Sequence, residues 1–228
     1  MLDRMGAVWC LLSAAGFGAM AIFGKLAYEA GVSPAALLLV RFGLAAAVLA
    51  ALLLVRPGLR GAAPATGLLR PVVTALGLGA IGYALQAGLY FSALQRMDAS
   101  LLSLILYTYP VLVTVTAVLL GRDRLTPARA VALAAATCGT LLVLLGAGAV
   151  SFDALGATLA FAAAVTYTVY ILVSDTVVHR LSPVVLATLV MTGAAAALGV
   201  RTAVTGGVDL GFGGRGWFWL ACIAEVST

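Results

Sequence analysis

The chain is built from apolar stretches of about 20 residues, separated by short linkers that carry most of its charge. The stretch 34–55 is the clearest, with Arg41 as its only charged residue. At 1.5 Å per residue, about 20 helical residues cross the roughly 30 Å hydrocarbon core of a bilayer. Lipid offers the backbone no hydrogen-bond partners, so such a stretch must satisfy its own N–H and C=O groups as a helix. Helices are expected over 5–24, 34–55, 71–94, 99–120, 128–147, 154–173 and 183–200. An eighth starts at 217 and reaches only about 18 Å by residue 228.

Composition excludes the alternatives. Of 228 residues 64% are hydrophobic and 9% charged, and mean hydropathy is +1.16. Soluble domains run at about 25% charged residues. A soluble globule, a disordered tail and a nucleic-acid-binding module are all ruled out, so the bilayer is the first partner and nucleic acid is not one. The net charge of +5 belongs to the loops. Arg4, Arg56, Arg60, Arg70, Arg122, Arg124, Arg129 and Arg180 fall on one side of the expected bundle. Lys25, Arg41, Arg96, Arg201 and Arg215 fall at or toward the other, which puts the N-terminus in the cytoplasm. Helix 1 is longer than a signal-peptide core and reads as a retained span. Cys10, Cys138 and Cys222 lie in apolar stretches without paired spacing and read as small hydrophobes. There is no Asn, and Arg outnumbers Lys twelve to one, which suggests a GC-rich bacterial genome.

The chain also resembles itself. A linker from Lys25 to Ser33-Pro34 and another from Ser174 to Ser182-Pro183 both have ten residues, and each leads into a new apolar helix. Helix 6 therefore repeats helix 1, and the unit is five helices. Five is odd, so the copies have opposite membrane orientation, as in the inverted repeats of secondary transporters. The expected units are 1–148 and a partial 149–228.

Several polar residues stand inside these spans. Gln86 and Tyr90 share a face of helix 3, and Ser103 and Tyr107 share a face of helix 4. Gln86 and Tyr90 can line a cavity or hydrogen-bond between helices, and Thr166, Tyr167 and Tyr170 form a comparable patch on helix 6. Tyr109 points elsewhere, toward a neighbouring helix. Pro110 should kink helix 4 near Leu106 and free carbonyls that either meet solute or are merely structural. Arg41 lies about 10 Å into helix 2, and either snorkels to the interface, binds an anionic group or pairs with an acid. Gly77-Leu78-Gly79-Ala80-Ile81-Gly82 spells a dinucleotide fingerprint, but within an apolar helix it reads as close packing, continued by Ala84 and Gly88. Glu225 would lie in helix 8, and His179 in a cytoplasmic loop.

One family joins these segments. Ser33-Pro34 with Arg41-Phe42, Tyr90-Phe91-Ser92-Ala93-Leu94, and Asp98-Ala99-Ser100-Leu101-Leu102 stand in order, followed by Tyr107-Thr108-Tyr109-Pro110, Leu119-Leu120-Gly121 and Leu125-Thr126. In this order they resemble the EamA domain of the drug/metabolite transporter superfamily. Arg122-Asp123-Arg124 departs from its pattern, which has Glu after the Gly. The resemblance implies ten helices, of which about seven and a half stand here, so the chain reads as C-terminally truncated by about 70 residues. It implies secondary transport of a small metabolite or drug-like solute across the bacterial inner membrane, by alternating access around a midplane cavity. Gln86, Tyr90, Ser103, Tyr107, Pro110, Tyr167, Tyr170 and Arg41 are the expected substrate-binding residues, with no catalytic residue, metal or cofactor. The lack of a nucleotide loop points to a gradient as the energy source. A dimer is left open. The other readings are a non-functional fragment of such a transporter and an intramembrane lipid enzyme, for which only Glu225 supplies an acid inside a span.

Overall fold

A computed structural model of the chain describes residues 4–61, 67–146, 153–178 and 180–226. The expected unit boundary at 148/149 and His179 lie outside the described residues, as do the side chains of Cys10 and Glu225. Among the described residues the main helices follow in the order α1 (Arg4–Glu29), α2 (Pro34–Val55), α3 (Leu69–Leu94), α4 (Ala99–Leu119), α5 (Pro127–Gly146), α6 (Ala154–Val178), α7 (Pro183–Val204) and α8 (Gly214–Val226). Among the described residues five stretches, Pro34–Val55, Leu69–Leu94, Ala99–Leu119, Ala154–Asp175 and Pro183–Val204, are long and apolar enough to cross a membrane. The chain is an all-helical polytopic membrane protein.

Each apolar run became one helix, but several helices outlast their runs. Lys25 was expected to end helix 1, yet α1 continues to Glu29. Likewise α6 reaches Val178, α7 reaches Val204, and α8 starts at Gly214 rather than residue 217. A long charged side chain at a membrane boundary reaches water without breaking the backbone ladder. Hydropathy therefore marks where lipid ends, not where the helix does.

The two Ser-Pro turns are built alike. Ser33 caps α2 by accepting from the Ala36 N–H at 3.2 Å, and Ser182 caps α7 by accepting from the Val185 N–H at 3.4 Å. Pro34 and Pro183 follow, where a missing N–H costs nothing. The preceding helices end at Glu29 and Val178, and the following ones end at Val55 and Val204. All three landmarks repeat at one offset of 149 residues (29 to 178, 34 to 183, 55 to 204).

The packing repeats in the same sense. Helix α2 packs against α7, α1 against α8 and α3 against α6. Helix α2 also meets α8, and α3 meets α7. Exchanging each helix for the one five places away leaves the α2–α7 contact as it is, and interchanges α1–α8 with α3–α6 and α2–α8 with α3–α7. Helix α4 packs on α6, and α5 rests against α4.

The closest approach is between α3 and α7. Helix α3 consists of Leu69–Gly77, a π-helical segment Leu78–Tyr83, and Ala84–Leu94. The Gly-rich hexapeptide expected to pack closely coincides with this segment. A Cβ on Gly79 would collide with the Val190 carbonyl, and one on Gly193 with the Leu76 carbonyl. Gly82 abuts the Tyr170 ring, where a Cβ would come within 3.3 Å. Gly77 and Gly88 are open, so only part of the expected stripe is used. Helix α4 breaks after Leu106 and restarts at Tyr109, where Pro110 requires it.

Exposed ion pairs decorate one end of the bundle. Lys25 meets Asp98 at 3.7 Å, and Arg96 meets Asp153 at 3.7 Å. Asp153 also accepts from the Leu155 and Gly156 N–H groups at 2.8 and 3.0 Å, capping α6. At the other end the Ser182 hydroxyl donates to the Leu59 carbonyl at 2.8 Å. Asp123, displaced by one from the expected acid, pairs with Arg129 and accepts from the Arg124 N–H.

Two outcomes follow. Gly79→Ala should lower stability by about 1–3 kcal/mol, because backbone cannot step aside as a flexible side chain can. Gly88→Ala, in open space, should hold or gain about 0.5–1 kcal/mol. Melting of the purified protein in detergent compares the two, and equal shifts would refute the tight crossing. The second concerns acid. The Gly156 N–H, then the Leu155 N–H and Arg96, hold the Asp153 carboxyl below the usual carboxylate range. Its cap is therefore complete above the unfolded value of about 3.9 and is lost as pH falls through the lower folded value. Amide protection at Leu155 and Gly156 should drop in that window, and Asp153→Asn should show no such step.

Candidate functional site

Helix α3 provides one wall of a buried polar cavity. Tyr83, Gln86 and Tyr90 stand at i, i+3 and i+7, which is one helix face. The π segment ends at Tyr83, and such segments re-aim the side chains that follow them. Arg41 from α2, Met20 from α1 and Tyr167 from α6 close the space, whose volume is about 30 Å³. Helices α1, α2, α3 and α6 therefore meet around it.

Arg41 is the centre of charge. Its side chain is buried, 4% exposed, so the interfacial alternative for this residue does not hold in the fold. Its Nη2 donates to the Tyr83 hydroxyl at 3.3 Å. Its guanidinium lies 5.2 Å from the Phe42 ring centroid and 5.8 Å from that of Phe91. Its Nε–H is buried and has no acceptor among the described residues. The ion pairs among the described residues involve Lys25, Arg96 and Arg129, not Arg41. Gln86 is buried, 6% exposed, and its amide lines the cavity beside this cation.

An aromatic chain forms the floor. Phe42 meets Tyr83 at 5.3 Å between ring centroids, Tyr83 meets Tyr170 at 5.5 Å, and Tyr170 meets Tyr167 at 5.9 Å. Tyr167 then meets Tyr109 at 4.8 Å, edge to face, and Tyr109 meets Tyr107 at 6.4 Å. Beyond this floor an open, almost wholly apolar groove of about 540 Å³ runs between α3 and α6. Tyr170 and Thr166 border the groove, not the polar cavity. Thr166 spends its hydroxyl on the Ala162 carbonyl of its own helix at 2.8 Å.

Of the residues singled out from sequence, Arg41, Gln86, Tyr90 and Tyr167 come together at the cavity. Tyr170 backs it through the ring stack. Ser103, Tyr107 and Pro110 stand along α4 outside its lining: Tyr107 is 39% exposed, and Pro110 opens the second half of that helix. Tyr109 does turn to a neighbouring helix, onto Tyr167. Sequence reasoning passed over Tyr83 and Met20. Tyr83 had a visible signal, three residues before Gln86, but it adjoins the glycines read as packing. The side chain of Glu225, the one acid expected inside a span, lies outside the described residues.

Comparison with known proteins adds the family. The sequence profile of the EamA-like transporter family matches residues 4–145. No curated protein matches the chain. Among solved structures, one crystal structure of a protein superposes with a TM-score of 0.64 at 24% identity, over 94% of this chain and 74% of that one. The likeness establishes a shared fold.

Tyr83→Phe tests the centre of the site. It keeps the ring stack and removes the acceptor of Arg41 Nη2, so about 1–3 kcal/mol of stability should be lost. Thermal melting in detergent measures this, and a neutral result would show that the Arg41–Tyr83 bond is not formed.

Proposed function

Because the chain belongs to the EamA-like transporter family, we propose that it is a secondary transporter that carries a small metabolite or drug-like solute across the bacterial inner membrane. The observation that carries this reading is a polar, cation-containing cavity between four apolar helices, α1, α2, α3 and α6. Polar groups placed inside a bilayer are costly and mark solute pathways. The cavity's walls come from α1, α2, α3 and α6, and α6 takes the place of α1 when the five-helix unit is repeated.

The constant spacing of the Ser-Pro turns and the interchange of helix contacts support an inverted repeat, with units 1–148 and 149–228. In such a plan the substrate site lies between the copies, and one copy rocks against the other. Arg41, Tyr83, Gln86, Tyr90 and Tyr167 are the proposed solute-contacting residues. Tyr170, Ser103, Tyr107 and Pro110 become a supporting wall and the flexible α4 beside it. The break at Pro110 suits a helix that bends during the cycle. The arginine-rich linkers 56–70 and 121–129 support a cytoplasmic N-terminus.

A growth screen of overexpressing cells against toxic metabolites identifies a solute, and uptake into membrane vesicles then measures its transport. Gln86→Ala should reduce that transport at least about tenfold, the scale of one lost hydrogen bond to a charged or polar group. Ile22→Ala, on an exposed side chain away from the cavity lining, is the comparison at equal expression. Equal transport by Gln86→Ala and Ile22→Ala would remove the cavity from the pathway.

A further inference from the structure

We propose that the solute enters this cavity through a carboxylate group, and that Arg41 is the charge that recognises it. The inference rests on the reading of the cavity as the transport site and narrows it to a substrate class.

Arg41 carries a positive charge that it cannot shed, because a guanidinium stays protonated in proteins. It is cut off from water, and a buried charge is tolerated when it is paired. Its present partners are a neutral phenol and two aromatic faces. A cation–π contact offsets only part of the desolvation. Among the described residues no carboxylate reaches it, and its Nε–H has no acceptor. Among the described residues the cavity thus holds a cation with an unused donor and no facing carboxylate.

The remaining donors specify the anion's shape. The Gln86 amide lines the same space. Tyr83 accepts from Arg41 with its oxygen and keeps its own proton to donate. The volume of about 30 Å³ holds roughly two water-sized positions. A planar carboxylate fills two such positions with its two oxygens and takes the forked geometry that guanidinium favours. A tetrahedral phosphate carries two further oxygens that this pair of positions does not match. A neutral amide fits the space and leaves the charge unmatched. Other classes of solute would bury the cation a second time without relief.

The test is binding to the purified full-length chain in detergent, read as a shift in melting temperature at constant ionic strength. The probes are sodium acetate and benzoate, their neutral partners acetamide and benzamide, and inorganic phosphate. A ligand of the folded state stabilises it in proportion to ln(1 + [L]/Kd), so true binding saturates. The carboxylates should give a saturable upward shift, and the amides and phosphate should give none. Arg41→Gln should abolish the shift. Arg41→Lys, which keeps the charge and loses the fork, should weaken apparent affinity about tenfold and supplies the answer if Arg41→Gln does not fold. The proposal is overturned if carboxylates give no saturable shift up to about 50 mM, well above millimolar affinity. Equal or larger shifts with the amides or with phosphate overturn it too, as does a carboxylate shift that survives unweakened in the folded Arg41 variants. Vesicle transport separates the two readings: saturable transport of a solute without a carboxylate sinks this inference and leaves the transporter standing. Carboxylate binding with no transport of any screened solute does the reverse.

Discussion

Gly79 and Gly193 let the backbones of α3 and α7 touch, and much of the bundle is arranged around that contact. Helices in lipid gain nothing from excluding each other's apolar surface from water, so close packing must hold them together. Here the approach is close enough that a methyl group on either glycine would strike a carbonyl oxygen. The π segment of α3 lies at the crossing, and Tyr83 ends it. Packing and site geometry are therefore set by the same six residues, Leu78–Tyr83. Moving the crossing by one residue would turn Tyr83 away from Arg41.

From there the electrostatics follow. A permanently charged guanidinium is placed between two phenyl rings, a phenol and an amide, about 10 Å into a span. Those groups hold the cation in position more than they neutralise it. The site thus resembles a socket whose contacts are pre-oriented and whose cation meets no carboxylate among the described residues, an arrangement that favours binding by lowering the ordering cost when a ligand arrives.

Much of this architecture was legible in the sequence, and the reason is physical. Lipid imposes one length and one hydrogen-bonding solution, so apolar runs translate directly into helices. The Ser-Pro turns were equally plain, because a hydroxyl cap followed by proline has one stable use at a helix start. Pro110 announced its break for a similar local reason. What could not be read was direction. Tyr107 and Gln86 are both polar residues in apolar helices, yet one is largely outside the packing and the other is buried, because that depends on how α3 and α4 rotate against their neighbours. Arg41 shows the same limit, since its depth was evident but its burial was not. Tyr83 was hidden because the glycines beside it had already received a sufficient explanation. Side chains at an interface are chosen by tertiary packing, and a single sequence carries that information only through spacing.

The ion pairs at one end of the bundle have a mechanical meaning beyond their small energies. Lys25–Asp98 and Arg96–Asp153 tie α1 to the start of α4 and the α3–α4 turn to the start of α6, with all four side chains substantially in water. Pairs of this kind contribute about 0–1 kcal/mol each, because water replaces either partner almost without loss. They are also screened by salt over roughly 8 Å at physiological ionic strength. Such ties align the helices at that end without locking them. If one half of the bundle rocks against the other as proposed, the glycine crossing would be its pivot and the charged rim the place where it yields.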